Sequence, residues 1–278
     1  MAKEYNLILS LGKVPVQLAS QSHSIIEMLR QALKGFITTG VSPTIKIDII
    51  LDKDIENINP YTFGNPHKTG VLKEEGNFFV RGSTYRGWFY PKSLEGSIIQ
   101  GPAVAPTYLY LRFIVSIYLP LVDGFLIHST SVARDGASYL FSGPPQSGKS
   151  TVARLSANYR ILSDDFSIVR KIGAQFCCFG SPFWGHVEPG GENLKQGLPI
   201  RGLYLLKQDN EVYLRRLGKG EGTLRLLQNI SVISRDAETN KRIVGLADEF
   251  TGRVKVNSLH FKPDNSFWRA IENDGDVC

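Results

Sequence analysis

The chain has 278 residues, of which 42% are hydrophobic and 21% charged, which is ordinary usage for a globular protein. This composition excludes a disordered, collagen-like or coiled-coil chain, and the length fits one large domain or two small ones. The 32 Lys and Arg residues against 26 Asp and Glu give a net charge of +6. That surplus suits an acidic partner such as a nucleotide or an anionic peptide, and nucleic acid is not an expected partner.

The three cysteines are Cys177, Cys178 and Cys278. Neighbouring cysteines rarely pair with each other, so neither a disulfide framework nor a zinc site is expected. No targeting segment is recognised at the start of the chain. The most apolar stretch, residues 108–122, is shorter than the roughly 20 residues that span a bilayer, and we predict a buried helix there. We therefore expect a cytoplasmic protein without a membrane partner, and an oligomer is left open.

The first part of the chain alternates strand and helix signals. Apolar residues at helical spacing predict a helix over 22–36, and residues 54–68 are typical of a loop. Alternating or β-prone runs predict strands at Tyr5–Leu11 and 44–51, and antiparallel strands within 78–90 and 96–100. We interpret residues 1–105 as a small α+β region.

The pattern changes from residue 106, where we predict a second domain that extends to residue 278. The buried helix ends near Asp123, and an Asp-Gly turn joins two strands at 125–133 and 139–142 into a hairpin. A helix-compatible segment follows a glycine-rich loop. Further strands are predicted at 160–162, 166–171, 174–179 and 253–261, and a strand pair at 203–207 and 211–216 around Asp209 and Asn210. Further helices are predicted at 222–229, 237–250 and 265–272, and we expect Phe267 and Trp268 to anchor the last of them.

The glycine-rich loop, residues 143–150, reads GPPQSGKS and satisfies the phosphate-loop pattern G-x-x-x-x-G-K-[ST]. Its glycines allow successive backbone N–H groups to face one anion, and the lysine reaches the β- and γ-phosphates. The serine hydroxyl is placed to bind Mg²⁺, and the following helix begins at the phosphates. The residues predicted to contact the nucleotide are Gly143, Pro144, Pro145, Gln146, Ser147, Gly148, Lys149, Ser150 and Thr151.

Asp164 and Asp165 follow an apolar run that is typical of a strand. We expect this strand to lie beside the loop strand, so that its end faces the γ-phosphate. One carboxylate can then hold Mg²⁺ and the other can accept the proton of an attacking hydroxyl. Adjacent residues in a strand point in opposite directions, so the sequence leaves open which carboxylate has which role.

Residues 125–170 resemble the catalytic domain of bacterial HPr kinase/phosphorylase. The resemblance is carried by His128 in the strand before the loop, the loop itself, and the aspartates in LSDDFSIVR. A later segment, PIRGL at 199–203, is similar to the E-[IV]-R-G-[LI] segment of that family. The resemblance implies an α/β (mixed α+β) phosphate-loop kinase domain of the HPr kinase/phosphoenolpyruvate carboxykinase type.

The resemblance also implies an ATP- and Mg²⁺-dependent kinase, with Mn²⁺ as an alternative ion, that phosphorylates a serine of a partner peptide or protein. In that interpretation Asp164 is the base, Asp165 and Ser150 lie on the metal side, and His128 lies near the γ-phosphate. Arg201 would stabilise transferred charge or contact the substrate. Related proteins include kinases of ribosomally made peptides, among them lasso peptide precursors.

Two features depart from the family. Pro199 stands where the family has glutamate, which puts a metal or phosphorylase role there in doubt, and Glu188 or Glu192 is only a weak substitute. The N-terminal region also does not look like the regulatory domain of that kinase. The alternatives are a small-molecule kinase or carboxykinase-like enzyme on the same scaffold and a nucleotide-binding sensor. Residues 181–186 mix aromatic and turn residues, which is typical of a lid over the nucleotide, of an acceptor-peptide groove, or of a loop packed on the core.

Overall fold

The computed structural model describes residues 4–52, 55, 70–186, 195–232 and 237–275. The chain divides into two compact units, Met1–Tyr118 and Leu119–Cys278. The predicted loop at 54–68 lies outside the described residues except for Ile55. Glu188, Glu192 and Cys278 also lie outside them.

Unit 1 is built on an eight-stranded mixed sheet with the order β3-β1-β2-β4-β8-β7-β6-β5. The β2–β4 and β4–β8 pairs are parallel and the others are antiparallel. A 3₁₀ turn at Lys34–Phe36 follows α1. The elements are β1 (Tyr5–Leu11), β2 (Val14–Ser20), α1 (His23–Ala32), β3 (Ile37–Thr38), β4 (Ile45–Leu51), β5 (Gly70–Glu74), β6 (Asn77–Arg81), β7 (Tyr85–Tyr90), β8 (Glu95–Gln100) and α2 (Ala105–Tyr118).

The strands predicted at Tyr5–Leu11 and 44–51 are confirmed. In each strand, apolar residues recur at every second position and these residues are buried. The sequence did not predict β2 or β5. Pro15 stands near the start of β2, where a missing N–H is tolerated. All five residues of β5 are exposed, so that strand carries no alternating apolar signal.

Helix α2 belongs to unit 1, so the division falls after Tyr118 rather than at the predicted residue 105. Tyr110 packs on the sheet so closely that a Cβ at Gly87 would lie 2.7 Å from its ring. The stretch Ala105–Val122 is long and apolar enough to cross a membrane by length and composition, and 61% of it is buried in the protein. The core helix of a soluble protein passes the same test, so this is weak evidence for a membrane span.

Unit 2 is a second mixed sheet with the order β10-β9-β12-β13-β14-β16-β15, in which β10 also pairs with β14 in parallel. A 3₁₀ turn at Leu119–Val122 precedes it. The elements are β9 (Gly124–Arg134), β10 (Ala137–Ser142), α3 (Lys149–Leu155), β11 (Arg160–Ser163), β12 (Phe166–Ile172), β13 (Gln175–Phe179), β14 (Leu198–Gln208), β15 (Tyr213–Arg216), α4 (Lys219–Leu227), α5 (Ala237–Arg253), β16 (Lys255–Phe261) and α6 (Ser266–Gly275).

Two expectations about strand neighbours are wrong. Strand β11 pairs with β9 in antiparallel fashion, so β9 separates it from the loop strand β10. The strands predicted as a pair around Asp209 and Asn210 are β14 and β15, and β16 lies between them. Partners distant in sequence outcompete the local hairpin in the second case, because β14 gains a long parallel pairing with β16.

A cluster of buried hydrophobic residues in unit 2 supports the phosphate loop. Phe141 of the loop strand packs edge-on against Phe267 and Trp268 of α6 at centroid distances of 5.9 and 5.6 Å. The Trp268 indole donates to Ser156 Oγ at 3.1 Å, just beyond the end of α3. The expectation that Phe267 and Trp268 anchor the C-terminal helix is confirmed, and this anchor supports both elements that flank the loop.

Candidate functional site

The predicted phosphate loop has the expected local structure, because it joins the end of β10 to the start of α3. Gly143 and Gly148 have φ values of +154° and +107°, and Gln146 has +65°. The Ser147 N–H donates to the Pro144 carbonyl at 3.2 Å. Pro144, Pro145 and Gln146 are exposed and form the outer arch, whereas Ser147 is buried. Ser150 and Thr151 are half-buried in the first turn of α3.

Gly148 is required by contact as well as by backbone conformation. A Cβ at this position would lie 2.5 Å from Phe261 Cζ in the core. Gly136, in the hairpin turn, also has a positive φ of +74° but has open space around it. Both glycines would suffer backbone strain if substituted, but only Gly148 would also suffer steric overlap, so comparing the two positions separates these costs.

We expect Gly136→Ala to lower the free energy of unfolding by about 1–2 kcal/mol through strain alone. Gly148→Ala should cost about 1–3 kcal/mol more, because it adds overpacking against Phe261. Urea unfolding of both variants measures the difference. Equal losses would show that Phe261 moves aside freely.

Lys149 lies inside the loop rather than in solvent. Its Nζ donates to the carbonyls of Gly143 at 2.7 Å and Pro144 at 3.0 Å, and the residue is 8% exposed. Burial lowers the pKa of Lys149, and the negative charge of Asp165 opposes that shift. The Lys149 ammonium group is therefore held by the loop carbonyls and lies within electrostatic range of the Asp165 carboxylate.

The two aspartates lie at the junction between β11 and β12, beside β9. The Ser129 N–H donates to the Asp165 carbonyl at 3.0 Å, so pairing with β9 continues through the junction. Thr130 Oγ1 donates to the Lys149 carbonyl at 3.1 Å and lies 3.4 Å from the Asp164 carbonyl. Strand β9 thereby ties the aspartates to the start of α3.

The carboxylates of the two aspartates have different surroundings. Asp164 is 4% exposed, and its two oxygens accept the N–H groups of Gly185 at 2.7 Å and His186 at 2.8 Å. The Asp165 side chain is 30% exposed, and its Oδ1 lies 3.2 Å from His128 Nε2. Asp165 is therefore the accessible carboxylate, and Asp164 anchors a loop. The role that the resemblance gives to Asp164 stays a prediction.

The structure brings His128 to this site. Its ring stacks on Phe166 at a centroid distance of 5.1 Å and an angle of 23°. Its carbonyl accepts the Ser142 hydroxyl at 2.6 Å, which fixes the strand to the end of β10, and its N–H donates to the Asn229 carbonyl at 2.8 Å. The backbone of His128 is thus fixed by two hydrogen bonds, and its ring contacts Phe166 and Asp165.

Arg201 is not brought to the loop. In the parallel pairing of β10 with β14, Ser142 lies opposite Leu205, whereas Ser138 lies opposite Ile200. Arg201 is therefore four residues from the level of the loop, or roughly 13 Å along the strand. The resemblance implies a contact between Arg201 and the transferred phosphoryl group, and that contact would need a different pairing of β14 with β10 from the one observed.

The segment predicted as a lid or a packed loop is packed. Phe183 is buried, and its carbonyl accepts the Phe166 N–H at 3.1 Å. Ser181 is buried and donates its N–H to the Leu162 carbonyl at 3.1 Å. Trp184 is half-buried, and the end of the segment is held by Asp164.

The predicted metal ligands supply hard oxygen donors, a hydroxyl from Ser150 and a carboxylate from Asp165, which suit Mg²⁺ better than Zn²⁺. Within the described residues, no three His, Cys, Asp or Glu side chains group as a protein-only metal site. Ser147 Oγ is a buried hydroxyl with no hydrogen-bond partner inside the loop. This donor set fits an ion that takes part of its coordination from substrate phosphates.

Sequence reasoning missed the residues that form two cavities beside the loop. One, of about 590 Å³, begins at Gly143 and Pro144, and the other, of about 510 Å³, begins at Gly148 and Thr151. Their walls come from β14, β15, β16, α4 and the turn after β14. These residues are far apart in sequence and follow no motif, so only chain folding brings them to the loop.

No protein-family model matches the chain, and no curated protein matches it. Among solved structures, the chain is similar to the HPr(Ser) kinase/phosphatase from Coxiella burnetii, with a TM-score of 0.31 and 10% sequence identity. The similarity covers 54% of this chain and 95% of that chain. A similarity at this level assigns neither a family nor an activity, so the site geometry has to carry the functional argument.

Proposed function

We propose that the protein is an ATP-dependent kinase that transfers the γ-phosphoryl group to a hydroxyl of an acceptor. The observation that carries the proposal is Lys149, which is buried in a phosphate loop with the half-buried Asp165 carboxylate in electrostatic range. Positioned charge and hydrogen-bond donors are what phosphoryl transfer requires from a protein. The resemblance favours a serine of a peptide or protein as acceptor, with lasso precursor peptides as one class, and a cytoplasmic setting.

In this proposal each element has a defined task. The loop N–H groups and Lys149 bind the β- and γ-phosphates and stabilise charge as the phosphoryl group moves. Ser150 and Asp165 are the oxygen donors for Mg²⁺, which when bound supplies charge neutralisation on the phosphate oxygens. Asp165, next to His128, is also the carboxylate that an acceptor hydroxyl can reach.

Asp164 has a positioning role in this proposal, because both its oxygens are engaged by the N–H groups of Gly185 and His186. For Asp164 to act as the base, segment 181–186 would have to release those groups. The proposal therefore assigns the chemistry at the acceptor to Asp165 and departs from the division of roles between the two aspartates that the resemblance implies.

A small-molecule kinase is the second candidate, and one observation favours it. The cavity of about 590 Å³ beside Gly143 and Pro144 has the size of a small-molecule site. Identifying the phosphorylated product by mass spectrometry, after incubation with precursor peptides or with small hydroxy acids, separates the two candidates.

Nucleotide turnover should depend on a divalent cation, and Mg²⁺ or Mn²⁺ should support it better than Zn²⁺. The reason is that Ser150 and Asp165 offer hard oxygen ligands. Calorimetric titration of ATP with and without Mg²⁺, together with turnover in excess chelator, measures this dependence. Undiminished turnover in chelator would contradict the assignment of these residues to a metal.

A further inference from the structure

The larger of the two cavities beside the phosphate loop extends from the loop to residues that follow α4. It starts at Gly143 and Pro144, the first residues of the phosphate loop, and its far wall includes Gln228 and Asn229. The Asn229 carbonyl accepts the His128 N–H at 2.8 Å, and His128 Nε2 lies 3.2 Å from Asp165 Oδ1. One wall residue of this cavity is therefore hydrogen-bonded to the strand that carries His128, whose ring lies beside the proposed acceptor carboxylate.

The wall of this cavity carries excess positive charge. Among the described residues, its charged lining side chains are Lys207, Arg215, Arg225 and one carboxylate, Glu221. Glu221 is engaged by Arg215, with Nη2 to Oε1 at 3.0 Å and Nη1 to Oε2 at 3.4 Å. Arg225 Nη1 donates to the neutral Gln228 Oε1 at 3.4 Å, so the charges of Arg225 and Lys207 outweigh the one carboxylate and can attract an anion.

A second wall of the cavity is aromatic and fixed in place. The Tyr213 and His260 rings stack at a centroid distance of 4.1 Å and an angle of 18°. His260 is buried, and its Nδ1 lies 2.8 Å from Asp209 Oδ2, which holds the ring orientation. A stacked pair held in this way gives the cavity a defined shape before any ligand enters.

The smaller cavity on the other side of the loop has a different chemistry. Its lining includes Gln208, Asp209 and Asn210, and the part of the chain that the structure describes contributes no lysine or arginine to it. An uncharged nucleoside needs hydrogen-bonding groups of this kind and no cation. The cation-lined cavity is therefore the one that remains for the acceptor.

We propose that the cavity lined by Lys207, Arg215, Arg225, Tyr213 and His260 is an acceptor subsite for a group that carries a carboxylate near the reacting hydroxyl. Arg225 is the specificity-determining cation. This inference rests on the proposed kinase function. The carboxylate can come from an acidic residue beside a serine in a peptide or from a small hydroxy acid.

The test measures acceptor binding to the full chain without nucleotide. The probes are two rhodamine-labelled, end-blocked pentapeptides with a central serine, one with aspartate beside it and one with asparagine, and free L-serine as competitor. Binding is followed by fluorescence anisotropy for the wild-type protein, Arg225→Gln and the control Arg242→Gln. Arg242 is an exposed arginine in α5 that pairs with Glu238, and it does not line the cavity.

We expect the aspartate peptide to bind about tenfold more tightly than the asparagine peptide, as one charge-assisted hydrogen bond predicts. Arg225→Gln should remove this preference, and Arg242→Gln should keep it. Arg225-dependent binding of L-serine alone would support the subsite and identify a small acceptor. A preference that is absent from the wild type or survives Arg225→Gln overturns the proposal.

Parallel titrations with Mg²⁺ and ATP distinguish this inference from the proposed function. Arg225→Gln should leave nucleotide affinity unchanged. If it weakens nucleotide affinity instead, the cations serve the nucleotide phosphates and the acceptor subsite is wrong. If the wild type binds no nucleotide, the kinase proposal fails even when the peptide preference is present.

Discussion

Replacing Lys149 with alanine is expected to lower the rate of phosphoryl transfer by about 10²–10³-fold, the usual loss when a buried charge-stabilising donor is removed. The Nζ group is held at the mouth of the loop by the carbonyls of Gly143 and Pro144. No other residue of α3 can replace its charge there, because Arg154 lies in the last turn of that helix. ADP release with a saturating acceptor measures the rate.

The same substitution should leave the fold intact. It removes two hydrogen bonds to loop carbonyls, for which we expect a loss of about 1–2 kcal/mol in the free energy of unfolding. Lys241→Ala, at an exposed position of α5, is the matched control and should change neither rate nor stability. A folded Lys149→Ala protein with unchanged turnover would refute the phosphate-loop assignment.

Asp165→Asn is expected to have the second large effect, a fall in phosphoryl transfer of about 10²–10⁴-fold, which is the contribution of a positioned acid or base. The substitution removes the carboxylate that is paired with His128 and lies in range of Lys149. Because this carboxylate is also a proposed metal ligand, Mg²⁺-dependent ATP affinity should fall as well. Transfer rate and ATP affinity are measured on the same preparation.

Asp164→Asn should behave differently, because its carboxylate accepts two N–H groups and is buried. An asparagine amide turns one N–H donor toward another, which costs about 1–3 kcal/mol. Faster hydrogen exchange at the amides of Gly185 and His186 would report this loss. If instead Asp164→Asn alone abolishes transfer and leaves those amides protected, Asp164 is the base and the proposed division is wrong.

The local features of the site were predictable from the sequence. The Asp135-Gly136 turn sets the β9–β10 hairpin, and the glycine spacing of residues 143–148 sets the loop before α3. In both cases a few neighbouring residues determine the backbone conformation, because the φ values open to glycine and the alternation of apolar side chains are local properties of the chain.

Which residues meet at the site was decided by the tertiary structure. Burial and strand pairing placed β11 beside β9, moved Arg201 away from the loop, and brought Gly185 and His186 onto Asp164. They also joined Lys207, Arg225 and His260 around one cavity. These contacts link residues separated by tens of positions, and they depend on the total area buried and the hydrogen bonds satisfied by the whole sheet. No local pattern encodes that sum, so the sequence alone determines the loop, and the packed sheet determines the loop's neighbours.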